Sequence, residues 1–250
     1  YLGSYYYGMN LTRPPFAGKR KLRIALALAI DRDVIVNRVM NGLALPAYSW
    51  VPPGVSGYTP QRVSWADWPR ERRLAEAKRL YAESGYSARR PLQIELRYNT
   101  SDDHKRIATV IAAMWKQNLG VRTELVNEEF KVFLANRRAR KVTQIYRQGW
   151  IADYDDATSF LDLIAGFSGD NDTGWVNPRY DALLRQAGAT VDPQQRAALL
   201  ESAERLMLDD MPVIPIYHYV SKHLVKPHVQ GWSENSQDIQ YSKNLRVVQR

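Results

Sequence analysis

Residues 92 to 98 read LQIELRY, a stretch in which apolar and polar side chains alternate strictly. Successive side chains of a strand point to opposite faces of a sheet, so this alternation predicts a half-buried strand. Ser101 follows as a helix cap, and apolar residues at helical spacing continue to about Asn118. The stretch therefore predicts a strand followed by a long amphipathic helix.

The same order of elements continues toward the C terminus. VRTELV (121–126) predicts a second strand and VTQIYRQG (142–149) a third. Between them, EEFKVFLANRRA (128–139) predicts a helix whose inward residues are Phe130, Phe133 and Leu134. Strands that alternate with helices favour parallel pairing with helical crossovers. We therefore predict an α/β fold in which a mixed, parallel-rich sheet is flanked by helices.

The segments on either side of this unit add further helices. The first residues, YLGSYYYGMN, predict a strand, and PAYSWVPPGVSGYTP (46–60) predicts a loop because its prolines and glycines disfavour regular structure. Helices are predicted near 19–30, from the Asp31 cap to Gly42, over 70–85, and near 157–166, 178–187 and 193–210.

The C-terminal region is predicted to be extended. MPVIPIYHYV (211–220) is apolar, and Pro212 and Pro215 favour a position at a sheet edge or a strand start. The tail that follows, 221–250, has no helical pattern, and LRVVQ (245–249) is its candidate strand.

The composition excludes several kinds of site. The 250 residues include no cysteine, which excludes disulfides, thiolate nucleophiles and cysteine zinc sites. DNDTG (170–174) has its glycine one place too early for a calcium loop, and no GxSxG, HExxH or phosphate-binding loop occurs. The net charge is +9, but apart from RRARK (137–141) the cations are dispersed. We predict a chain that is not an enzyme, has no metal or cofactor and does not bind nucleic acid.

Two polar clusters follow predicted strands, NTSDDH (99–104) and WIADYDD (150–156). If the strands are parallel neighbours, both clusters lie on the rim where α/β proteins bind ligands. The helix start with His104 suits an anion, whereas the aspartates suit a cation such as an ammonium group. Asp155 and Asp156 are predicted to start the next helix, which leaves Asp153 as the candidate anchor, with Trp150 and Tyr154 beside it to exclude water.

Longer stretches carry a resemblance to a known family. YYYGMNLTRPPF (5–16), YNTSDDHKRIA (98–108) and RQGWIADYDDATSFL (147–161) are similar to the C-terminal half of periplasmic oligopeptide-binding proteins, the family-5 solute-binding proteins of ABC importers. LALAIDRDVIVNRVMNG (26–42), PAYSWVPPG (46–54) and PIYHYVSKHLVKPHVQGW (215–232) extend it over essentially the whole chain. The resemblance implies a lobe of the type II, cluster C periplasmic-binding-protein fold.

The resemblance also implies a division of the chain. Residues 5–218 are expected to form the C-terminal, lobe III-like ligand-binding lobe. Residues 1–4 and 219–250 are expected to be hinge strands and a tail that belong to a first lobe absent from this chain. Because the two lobes of the family close around the ligand, this chain alone is expected to bind peptide weakly or not at all.

The resemblance implies that the protein captures short peptides, from di- to pentapeptides, in the periplasm. It would deliver them to a membrane permease. The peptide backbone pairs as an added strand, and water fills the side-chain pockets. Asp153 corresponds to the aspartate that receives the peptide α-ammonium, and Trp150 to a pocket wall. Arg147, Arg137 and His104 are expected to offer charge to the peptide. Tyr217 and Tyr219 are expected to lie near the hinge and cleft, and Phe130 is expected to line a pocket.

Two alternatives stay open from the sequence. One is a murein-peptide-binding protein, which keeps the fold and changes the ligand. The other is the ligand-sensing lobe of a transcription regulator, which would be fused to a DNA-binding domain.

Overall fold

A computed structural model describes residues 1–248. Its centre is a six-stranded mixed sheet in the order β2-β6-β1-β5-β3-β4. A separate ribbon of β7 and β8 lies in the tail. The strands are β1 (Gly3–Met9), β2 (Ala44–Pro46), β3 (Gln93–Asn99), β4 (Arg122–Glu128), β5 (Ile145–Ile151), β6 (Val213–Tyr219), β7 (Val229–Gln230) and β8 (Arg246–Val247).

Helices flank this sheet, most of them where the sequence predicts them. They are α1 (Arg20–Leu28), α2 (Arg32–Val34), a π-helix (Ile35–Val39), α3 (Arg70–Glu83), α4 (Asp102–Leu119), α5 (Phe130–Ala139), α6 (Thr158–Leu161), α7 (Pro178–Ala189) and α8 (Pro193–Asp210). The predicted helix at 157–166 is shorter, since α6 passes into a 3-10 turn at Asp162–Ile164. Among residues 1–248 no helix is long and apolar enough to cross a membrane.

The sequence sets the ends of α4 through its caps. The Ser101 side chain accepts a hydrogen bond from the backbone N–H of His104 at 3.5 Å, as predicted. At the other end Gly120 adopts a left-handed conformation with φ 74°, which glycine tolerates without a Cβ clash. Ile107, Ile111 and Trp115 are fully buried, so the apolar face of α4 packs on the sheet.

Parallel pairing is confined to the predicted β-α-β-α-β unit. Strand β3 pairs in parallel with β4 and β5. Strand β1 is antiparallel to both β5 and β6, and β2 is antiparallel to β6. The prediction of a mixed α/β sheet flanked by helices is confirmed. Strands β1, β2 and β6 form its antiparallel half.

Of the two positions predicted for 211–220, the sheet edge is wrong because β6 lies between β1 and β2, whereas the strand start fits Pro212, which directly precedes the first residue of β6. Pro215 has no N–H to donate to a neighbouring strand. The register of β1 shifts between Tyr5 and Tyr6, beside Pro215. On the other side, Arg32 donates from Nε to the Pro215 carbonyl at 2.9 Å.

The predicted loop at 46–60 is fixed in place by a buried carboxylate on α8. Glu204 is fully buried and accepts hydrogen bonds from the backbone N–H groups of Trp50 and Val51 at 2.8 Å and of Gln61 at 2.7 Å. The Tyr58 hydroxyl donates to the second oxygen at 2.6 Å. This loop therefore has no regular structure but is part of the core.

Three further expectations can be compared with the structure. The prediction that Phe130 points inward is wrong, because it begins α5 and is 52% exposed whereas Phe133 is 1% exposed. The candidate strand 245–249 is represented by β8, and Gln249 lies outside the described residues. The expected lobe boundaries at 4/5 and 218/219 fall inside β1 and β6.

Candidate functional site

The two predicted polar clusters lie on one rim of the sheet. Strands β3 and β5 run in parallel, so Asn99 and Ile151 end at the same side. Gly3, at the start of β1, pairs with Ile151, and Tyr219, at the end of β6, pairs with Ala44 of β2. This rim holds the carboxyl ends of the parallel strands, where α/β proteins bind ligands.

Asp156 is occupied within the chain. Its carboxylate accepts two hydrogen bonds from Arg196, at 2.8 and 2.9 Å, and one from the backbone N–H of Thr158 at 2.9 Å. Burial opposes ionisation, but these donors outweigh it and lower the pKa of Asp156. Ala157 occupies the cap position of α6, so Asp156 is not the cap itself, but its carboxylate binds Thr158, the first residue of that helix, and thus acts at the helix start.

Asp155 is occupied as well, but it does not cap a helix as predicted. Its carboxylate accepts from the backbone N–H of Ser56 at 3.0 Å and from the Ser56 hydroxyl at 2.8 Å. The Ser236 hydroxyl donates to it at 3.0 Å. Burial works against the charge, but these donors lower the pKa of Asp155 overall. Asp155 therefore ties the 52–57 loop and the tail to the acidic segment.

Asp153 differs from both neighbours. It is exposed, and its carboxylate makes no hydrogen bond or ion pair with any other residue in 1–248. Its backbone N–H donates to the Ser159 hydroxyl at 3.0 Å, which fixes the main chain at this point. The carboxylate is thus held at the rim on an ordered backbone and is available to a cationic group.

Trp150 and Tyr154 do not exclude water from Asp153 within this chain, although the sequence predicted that they would. Trp150 is half-buried, packs against the core and keeps its indole N–H buried without a partner among the described residues. Tyr154 is 47% exposed, and its hydroxyl lies 3.3 Å from that of Thr158. Since Asp153 itself stays exposed, any group that excludes water from it must come from outside residues 1–248.

Four of the predicted site residues meet around a fifth side chain, Tyr5. The Tyr5 ring stacks on Tyr217 with centroids 4.6 Å apart and meets the edge of Tyr219 at 6.5 Å. The Arg147 guanidinium lies 5.2 Å from its centroid, and its hydroxyl is 3.4 Å from His104 Nδ1. Sequence reasoning missed Tyr5. The available signal was its place in the aromatic run Tyr5–Tyr7 of the predicted first strand, whereas its partners across the sheet, Gly149 and Tyr217, are visible only in the structure.

Electrostatics within this rim cluster differ from the expectation for His104. Burial, together with the nearby Arg147 charge, lowers the pKa of His104 to about 4. His104 is therefore neutral at pH 7 and offers a hydrogen bond, not the charge that was expected. Arg147 supplies the charge. Its Nη1 donates to the Asn99 side-chain oxygen at 3.2 Å, while its Nε is buried without a described partner.

Arg137 is not part of this cluster. Its Nε lies 2.6 Å from Asp172 Oδ2, and both side chains are almost fully buried. The guanidinium also lies within 6 Å of the rings of Phe133 and Tyr146. Because Tyr146 and Arg147 are successive residues of β5, they point to opposite faces of the sheet. The structure thus places Arg137 in an internal ion pair, away from Arg147.

A metal site is absent from the described part of the chain, where no group of three or more His, Asp or Glu side chains converges. Phe130 lies at the start of α5, directly after the rim end of β4, and is exposed there. The site therefore offers one free carboxylate, one cation and a set of tyrosines, an arrangement suited to binding and without an evident nucleophile and base.

Comparisons with known proteins agree with this description. The profile of the family described as "Bacterial extracellular solute-binding proteins, family 5 Middle" matches residues 1–172. The periplasmic oligopeptide-binding protein OppA of Escherichia coli is 41% identical over 249 residues, which cover 99% of this chain and 46% of OppA. The chain thus spans about half the length of the curated relatives it matches.

Solved structures show the same relationship. The murein tripeptide binding protein MppA of Escherichia coli superposes with a TM-score of 0.90 at 33% identity, covering 100% of this chain and 49% of that one. OppA of Haemophilus influenzae in complex with RPPGFSPFR gives a TM-score of 0.88 at 34% identity, covering 99% and 49%.

Proposed function

The chain belongs to family 5 of the bacterial extracellular solute-binding proteins, and from this premise we propose that it is the C-terminal ligand-binding lobe of the substrate-binding component of an oligopeptide ABC importer. The relatives are binding proteins, and we propose a binding role here too, without catalysis. The periplasm and a membrane permease follow as the proposed location and partner.

The observation that carries this proposal is the difference between Asp153 and its two neighbours. Asp155 and Asp156 are satisfied by internal donors, whereas the Asp153 carboxylate is exposed at the rim with no described partner. We propose that it receives the α-ammonium of the peptide. Such a pair at about 4 Å contributes about 1 kcal/mol in bulk water and about 4 kcal/mol at an effective dielectric constant of about 20. The anchor therefore becomes strong only when the site closes.

The rim cluster around Tyr5 is the proposed contact for the rest of the peptide. Arg147 offers a cation to a carboxylate, and neutral His104 offers a hydrogen bond beside it. Main-chain pairing of the peptide as an added strand would supply affinity that does not depend on side-chain identity. Arg137 would act indirectly in this scheme, by holding Asp172 inside the lobe.

Residues 221–248 support the proposal that more protein closes the site. This tail exposes Leu224, Val225, Tyr241 and Val247, and its two-stranded ribbon has no pairing with the main sheet among the described residues. Isolated exposed apolar side chains are common, but a whole segment of them favours a covering partner. We propose that a first lobe provides that partner and the lid over Asp153.

The ligand class has two candidates. Relatives named for oligopeptides suggest short peptides, and the complex of Haemophilus influenzae OppA shows that a relative holds a peptide longer than a pentapeptide. The likeness to MppA favours a murein peptide as the second candidate. Mass spectrometry of ligand co-purified with the longer protein distinguishes them, because a γ-linked or D-residue peptide has a distinct fragmentation pattern and stereochemistry.

Calorimetry on the protein with both lobes tests the ammonium anchor. We expect Asp153→Asn to weaken binding of a tripeptide by about tenfold or more, and N-acetylation of the same peptide to have a similar effect on the wild type. Asp170→Asn is the matched control, since Asp170 is also exposed and lies in the same stretch, 148–178, which contains no Lys or Arg. Equal affinity of Asp153→Asn and wild type would show that this carboxylate is not the anchor.

A further inference from the structure

A second concave surface lies beside the rim, between the π-helix and α4. It is a groove of ≈ 570 Å³. Arg38, Val39 and Asn41 line one side, and Lys105, Arg106 and Val110 line the other. The proposed peptide site uses none of these residues.

The backbone on one side of this groove is unusual. Met40 donates its N–H to the Ile35 carbonyl at 3.0 Å and Gly42 to Val36 at 2.9 Å, so the turn is wider than an α-helix. Asn41 then adopts φ 53°, the left-handed conformation that commonly ends a helix and that asparagine tolerates better than most residues other than glycine. Short π-helical turns occur frequently at functional sites.

The charges of the groove favour an anion. Its lining includes three cations, Arg38, Lys105 and Arg106, and one carboxylate, Asp102. Arg106 forms an ion pair with Asp103. Within residues 1–248, Arg38 and Lys105 have no carboxylate within ion-pair distance. Two of the cations that line the groove thus have no described carboxylate partner.

Part of the groove wall is apolar. Val39 and Val110 are partly buried, pack against the hydrophobic core and leave the rest of their surface to the groove. The alkyl stems of Arg38 and Lys105 extend this surface, since such side chains cover apolar area while their charged ends stay in water. An inorganic anion would leave this surface unused, whereas an anion with a hydrocarbon chain would cover it.

The groove is separate from the rim cluster although both use α4. His104 lies against Tyr5 on the sheet side. Lys105, one residue further, is rotated by about 100° around the helix axis and lines the groove. A ligand in the groove would therefore lie on the outer side of α4.

We propose that this groove binds a small amphipathic carboxylate, with its carboxylate between Arg38 and Lys105 and its hydrocarbon chain along Val39 and Val110. Calorimetry of the chain with sodium octanoate, below its micellar concentration, tests this. Octylammonium chloride and sodium acetate are the matched probes, because the first reverses the charge and the second removes the chain. We expect saturable binding of octanoate, with methyl NMR shifts at Val39 and Val110, and no saturable binding of the other two.

Variants test whether Arg38 and Lys105 bind the carboxylate. Arg38→Gln combined with Lys105→Gln is expected to weaken octanoate binding by about tenfold, since each exposed ion pair contributes modestly. Lys116→Gln, an exposed cation further along α4, is the control and is expected to leave binding unchanged. Equal binding of octanoate and octylammonium, equal binding of acetate, an unaffected double variant, or shifts at the rim cluster in place of Val39 and Val110 would each overturn the proposal.

Discussion

The hydroxyl of Tyr219 lies directly over Gly149. A Cβ added to this glycine would come closer to the Tyr219 oxygen than real Cβ atoms approach a neighbour. Gly3 meets the same ring, with Cδ2 at 2.8 Å from its hypothetical Cβ. Two glycines on neighbouring strands thus make room for one tyrosine where β1, β5 and β6 meet the rim.

Gly149→Ala is therefore expected to displace Tyr219 and disturb its contacts with Tyr217 and Tyr5. Overpacking of this kind usually costs about 1–3 kcal/mol of unfolding free energy. Urea unfolding followed by fluorescence measures the loss. Adding Tyr219→Phe to Gly149→Ala removes the clashing oxygen and is expected to restore part of the stability. A double variant no more stable than Gly149→Ala would contradict this account.

The sequence predicted the part of this region that depends on local pattern. Strict alternation located β3 and β4, and caps such as Ser101 located the helices, because these signals arise between neighbours in the chain. The role of Gly149 depends on Tyr219, 70 positions further on. Similarly, Asp155 satisfies the amide of Ser56 and not a helix start. A one-dimensional pattern does not contain such long-range partners.

Arg32 provides a second test of a long-range role. This side chain is 1% exposed and donates to the carbonyl oxygens of Ala47 at 2.7 Å and Pro215 at 2.9 Å. Its guanidinium lies 5.1 Å from the ring centroids of Tyr48 and Trp65. Arg32→Lys keeps the charge but loses the planar group that reaches several carbonyls, so we expect a loss of about 3 kcal/mol in urea unfolding.

Arg62→Lys is the control for that experiment. Arg62 also lies near Tyr48, at 5.8 Å, but is exposed, and its partner Asp67 is exposed as well. Its substitution is expected to change the unfolding free energy by less than about 0.5 kcal/mol. Similar losses for the two variants would show that burial of Arg32 is not what makes it important.

Glu204 is expected to make stability depend on pH. Burial raises the pKa of Glu204 to about 7, although the Tyr58 hydroxyl and three backbone donors oppose the shift. In the unfolded chain the carboxyl ionises first, so its contribution is fully present below about pH 4.5 and is lost as pH rises toward 7. The loss is on the order of 3 kcal/mol.

The measurement is the difference in unfolding free energy between wild type and Glu204→Gln across pH 4 to 8. The variant does not titrate at this position, so other groups cancel in the difference. We expect the advantage of the wild type to shrink between about pH 4.5 and 7 and then to level off. A difference that grows with pH would mean that the four donors hold Glu204 ionised.

The charge state at the rim shows why the site was only partly predictable. The sequence identified His104 and Asp153 as polar residues after two strands, which follows from topology, whereas Arg147 was expected only from the family resemblance. It could not show that His104 is buried beside Arg147 and so loses its charge. Nor could it show that Arg137 is paired with Asp172, because pairing and burial are set by packing between distant segments.

The His104 pKa is a direct readout of this cluster. Burial and the Arg147 charge lower it to about 4, so the NMR titration of the His104 ring is expected to have its midpoint near that value. Between pH 6.5 and 4 the unfolded chain takes up this proton first, and His104 therefore contributes stability that is lost as pH falls through this range.

Arg147→Gln removes the neighbouring charge, and the midpoint of the His104 titration is expected to rise while staying below that of an exposed histidine, because burial remains. Lys116→Gln, on the same helix, should leave it unchanged. A midpoint in Arg147→Gln identical to wild type would show that Arg147 does not act on His104, and the cluster would then lack the electrostatic coupling on which its proposed role at a peptide carboxylate depends.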